Sequence, residues 1–278
     1  MVPPQFLMPE VITHWLAAAF YLLSGIFYVH GLVGGKPKSL TTALWLALLG
    51  LLPHTAALGL QWYARGHGPY LRLDESLSAL AWGGMGMFLL FHHKAPRLKS
   101  FGLIVVPCVF LLMLPRVFAT SVPGSPPATF TGIWFIIHVI SIVPAMGAFL
   151  IALSAAVLYL LKKRRHGEFR SRLPSLEVLD ACNYKYAGFA FILWGIMIIA
   201  GSFWAEQSWG RYWGWDPIET WSFVTWLLLG LLLHLQRFFR WQGERAAWAM
   251  IACFAVSVLT LFLLPFVLGS IHADYLIL

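Results

Sequence analysis

Residues 131–161 read TGIWFIIHVISIVPAMGAFLIALSAAVLYLL, without one Asp, Glu, Lys or Arg. A bilayer crossing needs roughly 20 mostly apolar residues, so this run is long enough to span as one helix. Seven more apolar runs lie around it, at about 12–33, 41–63, 76–91, 101–119, 184–205, 221–242 and 246–270, the third in chain order being the shortest. Breakers and charges separate them, as in Gly34-Gly35-Lys36-Pro37-Lys38, Ala95-Pro96-Arg97 and Pro123-Gly124-Ser125-Pro126-Pro127. The expected fold is an all-α integral membrane protein of about eight transmembrane helices, a single polytopic domain over residues 1–278.

Composition agrees. Of 278 residues 60% are hydrophobic and 11% charged, with a mean hydropathy of +0.76, which excludes an ordinary water-soluble domain. The longest hydrophilic segment, Lys162 to Asp180, is too short to fold alone, and no internal repeat is visible. Met1 to Thr13 holds no Lys or Arg ahead of the first apolar run, so that run is expected to remain as a helix and not to be cleaved as a signal peptide. Cys108, Cys182 and Cys253 are isolated, with no Cys-x-x-Cys pair and no zinc spacing.

The formal charge of +8 is a topology signal and not a nucleic-acid footprint. Lys and Arg gather in the loops after the first, third, fifth and seventh runs, and only Arg65, Arg72, Arg116 and Arg211 fall on the opposite side. By the positive-inside rule both termini are then extracytoplasmic.

Between the sixth and seventh runs, residues 206–220 form a tryptophan-rich segment on that outer side. Trp209, Tyr212, Trp213, Trp215 and Trp221 crowd together, with Gly210 and Gly214 among them. An interfacial belt scatters its aromatics over many helix ends, whereas clustered rigid rings suit a large flat apolar ligand. Asp216-Pro217-Ile218-Glu219 has the spacing of a helix start, Asp as N-cap and Glu three residues on, and the simplest role for both acids is structural.

Ten histidines stand at different depths. His138 lies about 35 Å along its helix from Lys162, at the outer level, and His272 follows the last run at that same level. Two neutral imidazoles beside an aromatic platform are what an axially ligated haem iron requires. His234 falls about 5 Å from the inner boundary marked by Arg237, and His54 falls near mid-membrane. His14, His30, His67, His92, His93 and His166 read as hydrogen-bonded core or interface residues. The absence of Cys-x-x-Cys-His leaves no covalent haem attachment on this chain.

The stretch Trp209-Gly210-Arg211-Tyr212-Trp213-Gly214-Trp215-Asp216-Pro217-Ile218-Glu219-Thr220-Trp221 resembles the WWD signature of a haem-handling superfamily. Its form is that of the CcsA (ResC) branch of cytochrome c biogenesis proteins more than of CcmC or CcmF. The likeness extends through Thr225-Trp226-Leu227 to His234, to His272-Ala273-Asp274-Tyr275, and back to Trp62-Tyr63-Ala64-Arg65-Gly66-His67-Gly68-Pro69 and Asp74-Glu75-Ser76; Glu206-Gln207 departs from the Asn-Glu common in relatives.

This resemblance implies the haem-handling half of a cytochrome c synthase, with haem lyase activity shared with a CcsB (ResB) partner. It would bind haem b non-covalently, move it outward and present it to the CxxCH of an apocytochrome c whose thiols a reducing pathway keeps free. His138 and His272 would ligate iron and act in catalysis, and Trp209, Gly210, Tyr212, Trp213, Trp215 and Asp216 would surround the porphyrin. His234 would be the buried imidazole of a deeper haem site. The setting would be a cytoplasmic (inner) or thylakoid-type membrane, with the loop on the extracytoplasmic face. The competing readings are a CcmC-like exporter that loads a haem chaperone and forms no bond, and a b-type electron carrier, which calls for paired histidines at both depths.

Overall fold

A computed structural model of the chain describes residues 4–118, 126–164 and 167–272; Asp274 and Tyr275, part of the sequence likeness, and His166 lie outside these. Among the described residues the fold is helical throughout, in the order α1 (Pro4–Leu32), α2 (Pro37–Arg65), α3 (Leu73–Lys94), a 3-10 turn (Pro96–Phe101), α4 (Gly102–Phe118), α5 (Gly132–Arg164), α6 (Glu168–Arg172), α7 (Leu176–Trp209), α8 (Pro217–Phe238), α9 (Glu244–Phe262) and α10 (Leu264–Val267). The protein is an all-α membrane protein. Among the described residues seven helical segments are long and apolar enough to cross a membrane; α3, which carries Asp74, Glu75 and Lys94, is not among the seven.

The helices group into two compact units, one of residues 1–125 and 162–174, the other of residues 126–161 and 175–278. In the first, α1 and α2 pack along their length. Ala43, Ala47, Gly50 and Ala57 of α2 are buried, a small-residue seam that lets backbones approach without the hydrophobic drive that lipid does not supply. Gly50 is obligatory there, because a Cβ would sit 2.8 Å from the Tyr21 ring.

The same unit holds three of the four arginines that lie apart from the Lys- and Arg-rich loops. Arg116 binds Asp74 at 2.7 Å and also Glu10, Arg65 binds Glu75 and Glu10, and Arg72 binds Asp74 at 2.9 Å. Glu10, Asp74, Glu75 and Arg116 are buried. Each cation is neutralised where removing one partner alone would strand a buried charge.

In the second unit, indoles tie α7 to α8. Trp194 Nε1 donates to the Ser222 carbonyl and Trp226 Nε1 to the Phe191 carbonyl, both at 3.1 Å. Phe149 of α5 meets Trp194 and Phe254 of α9 edge-on. The last apolar run, read as continuous over 246–270, is broken: α9 ends at Phe262 and a one-turn helix follows. Pro265 has no N–H with which to continue the ladder. The break returns residues 270–272 to the start of α8.

Candidate functional site

The tryptophan segment is a shorter loop than its composition suggests. Helix α7 runs on to Trp209 and stops at Gly210, whose φ of 69° and N–H to the Glu206 carbonyl make a left-handed cap. Helix α8 begins after Asp216, which accepts from the Ile218 N–H at 3.1 Å, while Glu219 reaches back to the Asp216 N–H at 3.3 Å. The expected capping box is therefore formed. Glu219 also accepts from the Gly214 N–H at 2.8 Å, and the Arg211 guanidinium fills the place where a Gly214 side chain would be.

Asp216 does more than cap. Its carboxylate also accepts from Ser270 Oγ at 2.6 Å, from the Ile271 N–H at 3.0 Å and from His272 Nδ1 at 3.1 Å. Burial acts to raise its pKa, but the hydrogen bond from His272, with those from Ser270 and Ile271, outweighs burial and carries it down to about 2. A fully ionised carboxylate thus holds the tail segment and fixes the His272 ring. With Nδ1 donating to Asp216, Nε2 keeps its lone pair, the tautomer a metal-ligating histidine needs.

His138 is prepared in the same sense by another acceptor. Its Nδ1 lies 2.9 Å from the Met197 carbonyl on α7, so Nε2 is again the bare nitrogen. Gly201 makes the approach possible, since a Cβ there would meet His138 Nδ1 at 2.6 Å. Trp204 joins the two histidines. Its ring stacks near His138 at 5.9 Å and 22° and meets His272 edge-on at 6.4 Å. It is buried and anchored by Nε1 donating to the Thr129 carbonyl at 2.7 Å.

His138, His272, Trp204, Trp209, Tyr212, Trp213 and Glu219 all line one cavity of about 50 Å³. Of the other residues expected at the site, Gly210 caps α7, Asp216 stands behind His272, and Trp215 does not line the cavity. Trp215 is 74% exposed, edge-on to Trp213 at 5.9 Å. Its φ of 57° places a bulky aromatic in the left-handed region, a conformation that costs roughly 1–3 kcal/mol and concentrates at functional sites.

His234 departs from expectation. It is exposed on α8, its ring against Phe238 at 4.7 Å and Phe239 at 5.8 Å, and is not a buried imidazole. Helical periodicity explains this: Leu232 and Gln236 take the inward positions of that turn. Reading the sequence alone misses Trp204, Ser270 and Gly201, whose parts in the site come from contacts far along the chain. Their only local signals are the added tryptophan ahead of the loop and the Ser-x-His spacing.

The family model described as cytochrome C assembly protein matches residues 70–272. The chain belongs to the cytochrome c assembly protein family. Its relatives include the cytochrome c biogenesis protein CcsA of Guillardia theta, 29% identical over 276 residues covering 90% of this chain and 86% of the relative. CcsA of Chlamydomonas reinhardtii is 32% identical over 67% of this chain and 55% of its own. CcsA of Prochlorococcus marinus strain NATL2A is 28% identical over 91% of both. The fold is shared with a solved cytochrome c heme lyase, CcmF, at a TM-score of 0.68 and 19% identity, covering 92% of this chain and 46% of that one. This family member is thus a cytochrome c biogenesis protein, and its matched segment contains His138, the WWD loop, His234 and His272.

Proposed function

We propose that the second unit is the haem-presenting centre of a cytochrome c synthase, with lyase activity shared with a CcsB-type partner. What carries this reading is the pair of imidazoles, His138 and His272, each anchored through Nδ1 and both set against Trp204 beneath an aromatic loop. The donor set suits an iron porphyrin. The closed space does not, because about 50 Å³ is far below the roughly 300–1,000 Å³ of an enclosing ligand site. Loading therefore requires the loop after α7 or the tail that bears His272 to move aside.

In that opened site the substrate haem b would lie against Trp209, Tyr212 and Trp213, with exposed Trp215 extending the platform, and would offer its vinyl groups to the thiols of an apocytochrome CxxCH. Asp216 keeps His272 in the ligating tautomer, and the Met197 carbonyl does the same for His138. His138 and His272 would hold the iron until the client's own histidine replaces one. On the positive-inside count α3 is an eighth crossing, both termini and the loop face outward, and His234 marks an inner station on the way. Being exposed, His234 is placed to share a haem with a partner's ligand more than to enclose one alone.

The test is co-expression with a CcsB-type subunit and an apocytochrome c under thiol-reducing conditions, scoring covalent holocytochrome c. The synthase reading expects product with both subunits and loss in His138→Gly and His272→Gly, with partial rescue by imidazole. Haem export to a separate chaperone with no thioether product would favour the CcmC-like alternative.

A further inference from the structure

The end of the second unit farthest from the WWD loop carries a cavity of about 470 Å³, within the roughly 300–1,000 Å³ of small-ligand clefts. Helix α7 forms one wall through Glu177, Asp180 and Tyr184. The end of α8 and the turn after it form the other through Gln236, Arg237 and Arg240. These are terminal turns of two helices long and apolar enough to span, so the cavity lies at the level of lipid headgroups. The Asp180 carboxylate accepts the Gly243 N–H at 3.0 Å, which ties the turn after α8 to the start of α7 and holds the two walls together.

Helix-end electrostatics account for part of the lining. An acid in a first turn and a base in a last turn complement the helix dipoles, which covers Glu177 and Arg237. Gln236 is not covered. It is 8% exposed, and both its amide nitrogen and its amide oxygen are buried with no hydrogen-bond partner among the described residues. A donor and an acceptor left dry together beside a cavity call for an explanation, and rotation of the terminal amide offers both to a guest. Arg240 is not covered either, since its φ of 52° holds a bulky side chain in the left-handed region, a conformation that concentrates at functional sites. Neither Arg237 nor Arg240 has an ion pair among the described residues.

The walls differ in sign, with two guanidinium groups on the α8 side and two carboxylates on the α7 side. We propose that this cavity binds the headgroup of phosphatidylethanolamine, its phosphodiester on Arg237 and Arg240 and its primary ammonium on Glu177 and Asp180. Arginine forks match phosphate oxygens in pairs, and basic pockets between membrane helices are known headgroup sites. The acidic wall sets the selectivity. Phosphatidylglycerol has no cation to place there, and the quaternary ammonium of phosphatidylcholine has no N–H to donate. Exposed Phe238 and Phe239, next to the two cavity arginines in the chain, offer apolar surface to the acyl chains.

The test is native mass spectrometry of the full-length protein, stripped of lipid in detergent and offered the three phospholipids with matched acyl chains. The wild type is expected to hold phosphatidylethanolamine about tenfold more tightly than either competitor, the worth of one well-made charged hydrogen bond. Arg237→Gln combined with Arg240→Gln is expected to weaken it by about tenfold or more. Glu177→Gln combined with Asp180→Asn should remove the preference over phosphatidylglycerol. Gln236→Leu should also weaken the lipid, although it deletes no hydrogen bond within the described residues, a loss that a merely structural glutamine would not give. Equal retention of all three lipids by the wild type overturns the site without need of any variant, as does undiminished phosphatidylethanolamine in the folded arginine variant. Displacement of the lipid by millimolar glycerophosphoethanolamine would assign the cavity to a soluble compound and overturn the lipid reading.

Discussion

Asp216 Oδ2 lies 3.1 Å from His272 Nδ1, and the same carboxylate caps helix α8 through the Ile218 N–H. One side chain therefore sets both the start of a helix and the orientation of a candidate iron ligand. Asp216→Asn keeps an N-cap residue as good as Asp but loses one of the two acceptor oxygens that the Ile218, Ser270, Ile271 and His272 donors share. The expected outcome is a protein destabilised by about 1–3 kcal/mol through the donor left unpaired, whose haem affinity falls about 10–100-fold, the usual cost of losing such a partner. Haem titration beside thermal unfolding checks it.

Gly201 is the clearance for His138. A methyl there lies 2.6 Å from the ring nitrogen, so Gly201→Ala is expected to push the imidazole off the Met197 carbonyl. The measured effect should be a loss of bis-histidine haem signal, with about 1–3 kcal/mol of destabilisation from overpacking.

Trp204 of α7 and Trp215 of the loop should behave oppositely. Trp204→Ala removes a buried ring and its bond to Thr129, which is expected to cost about 3–5 kcal/mol of stability. Trp215→Gly removes a 74% exposed ring from a left-handed backbone position, and should leave stability unchanged or raised while haem retention falls. Equal loss of stability in both would contradict the distinction between anchor and platform.

Seven of the eight expected spans and the capping box could be read in the sequence because both are local. An apolar run of residues 131–161 and the spacing of Asp216 and Glu219 carry their meaning without knowledge of the fold. The second role of Asp216 could not be read that way, since Ser270 and His272 reach it from 54 and 56 residues away. In the sequence His14 reads as an ordinary core histidine for the same reason: its partner Ser78 is 64 residues distant. His234 shows the converse limit, for depth along a helix follows from counting residues, whereas its outward face depends on which neighbours the helix packs against.

His234→Ala is expected to leave stability within about 0.5 kcal/mol, as for other surface substitutions, while lowering haem loading in cells. The purified variant should still bind supplied haem at the outer site. Normal loading in cells would remove the inner station from the account.

The most direct measurement is the absorption and electron paramagnetic resonance spectrum of haem-loaded protein, for wild type, His138→Gly and His272→Gly. The predicted result is a six-coordinate low-spin haem in the wild type, high-spin haem in either variant, and return of the low-spin signal when imidazole is added. Low-spin haem unchanged in both single variants would contradict ligation by His138 and His272.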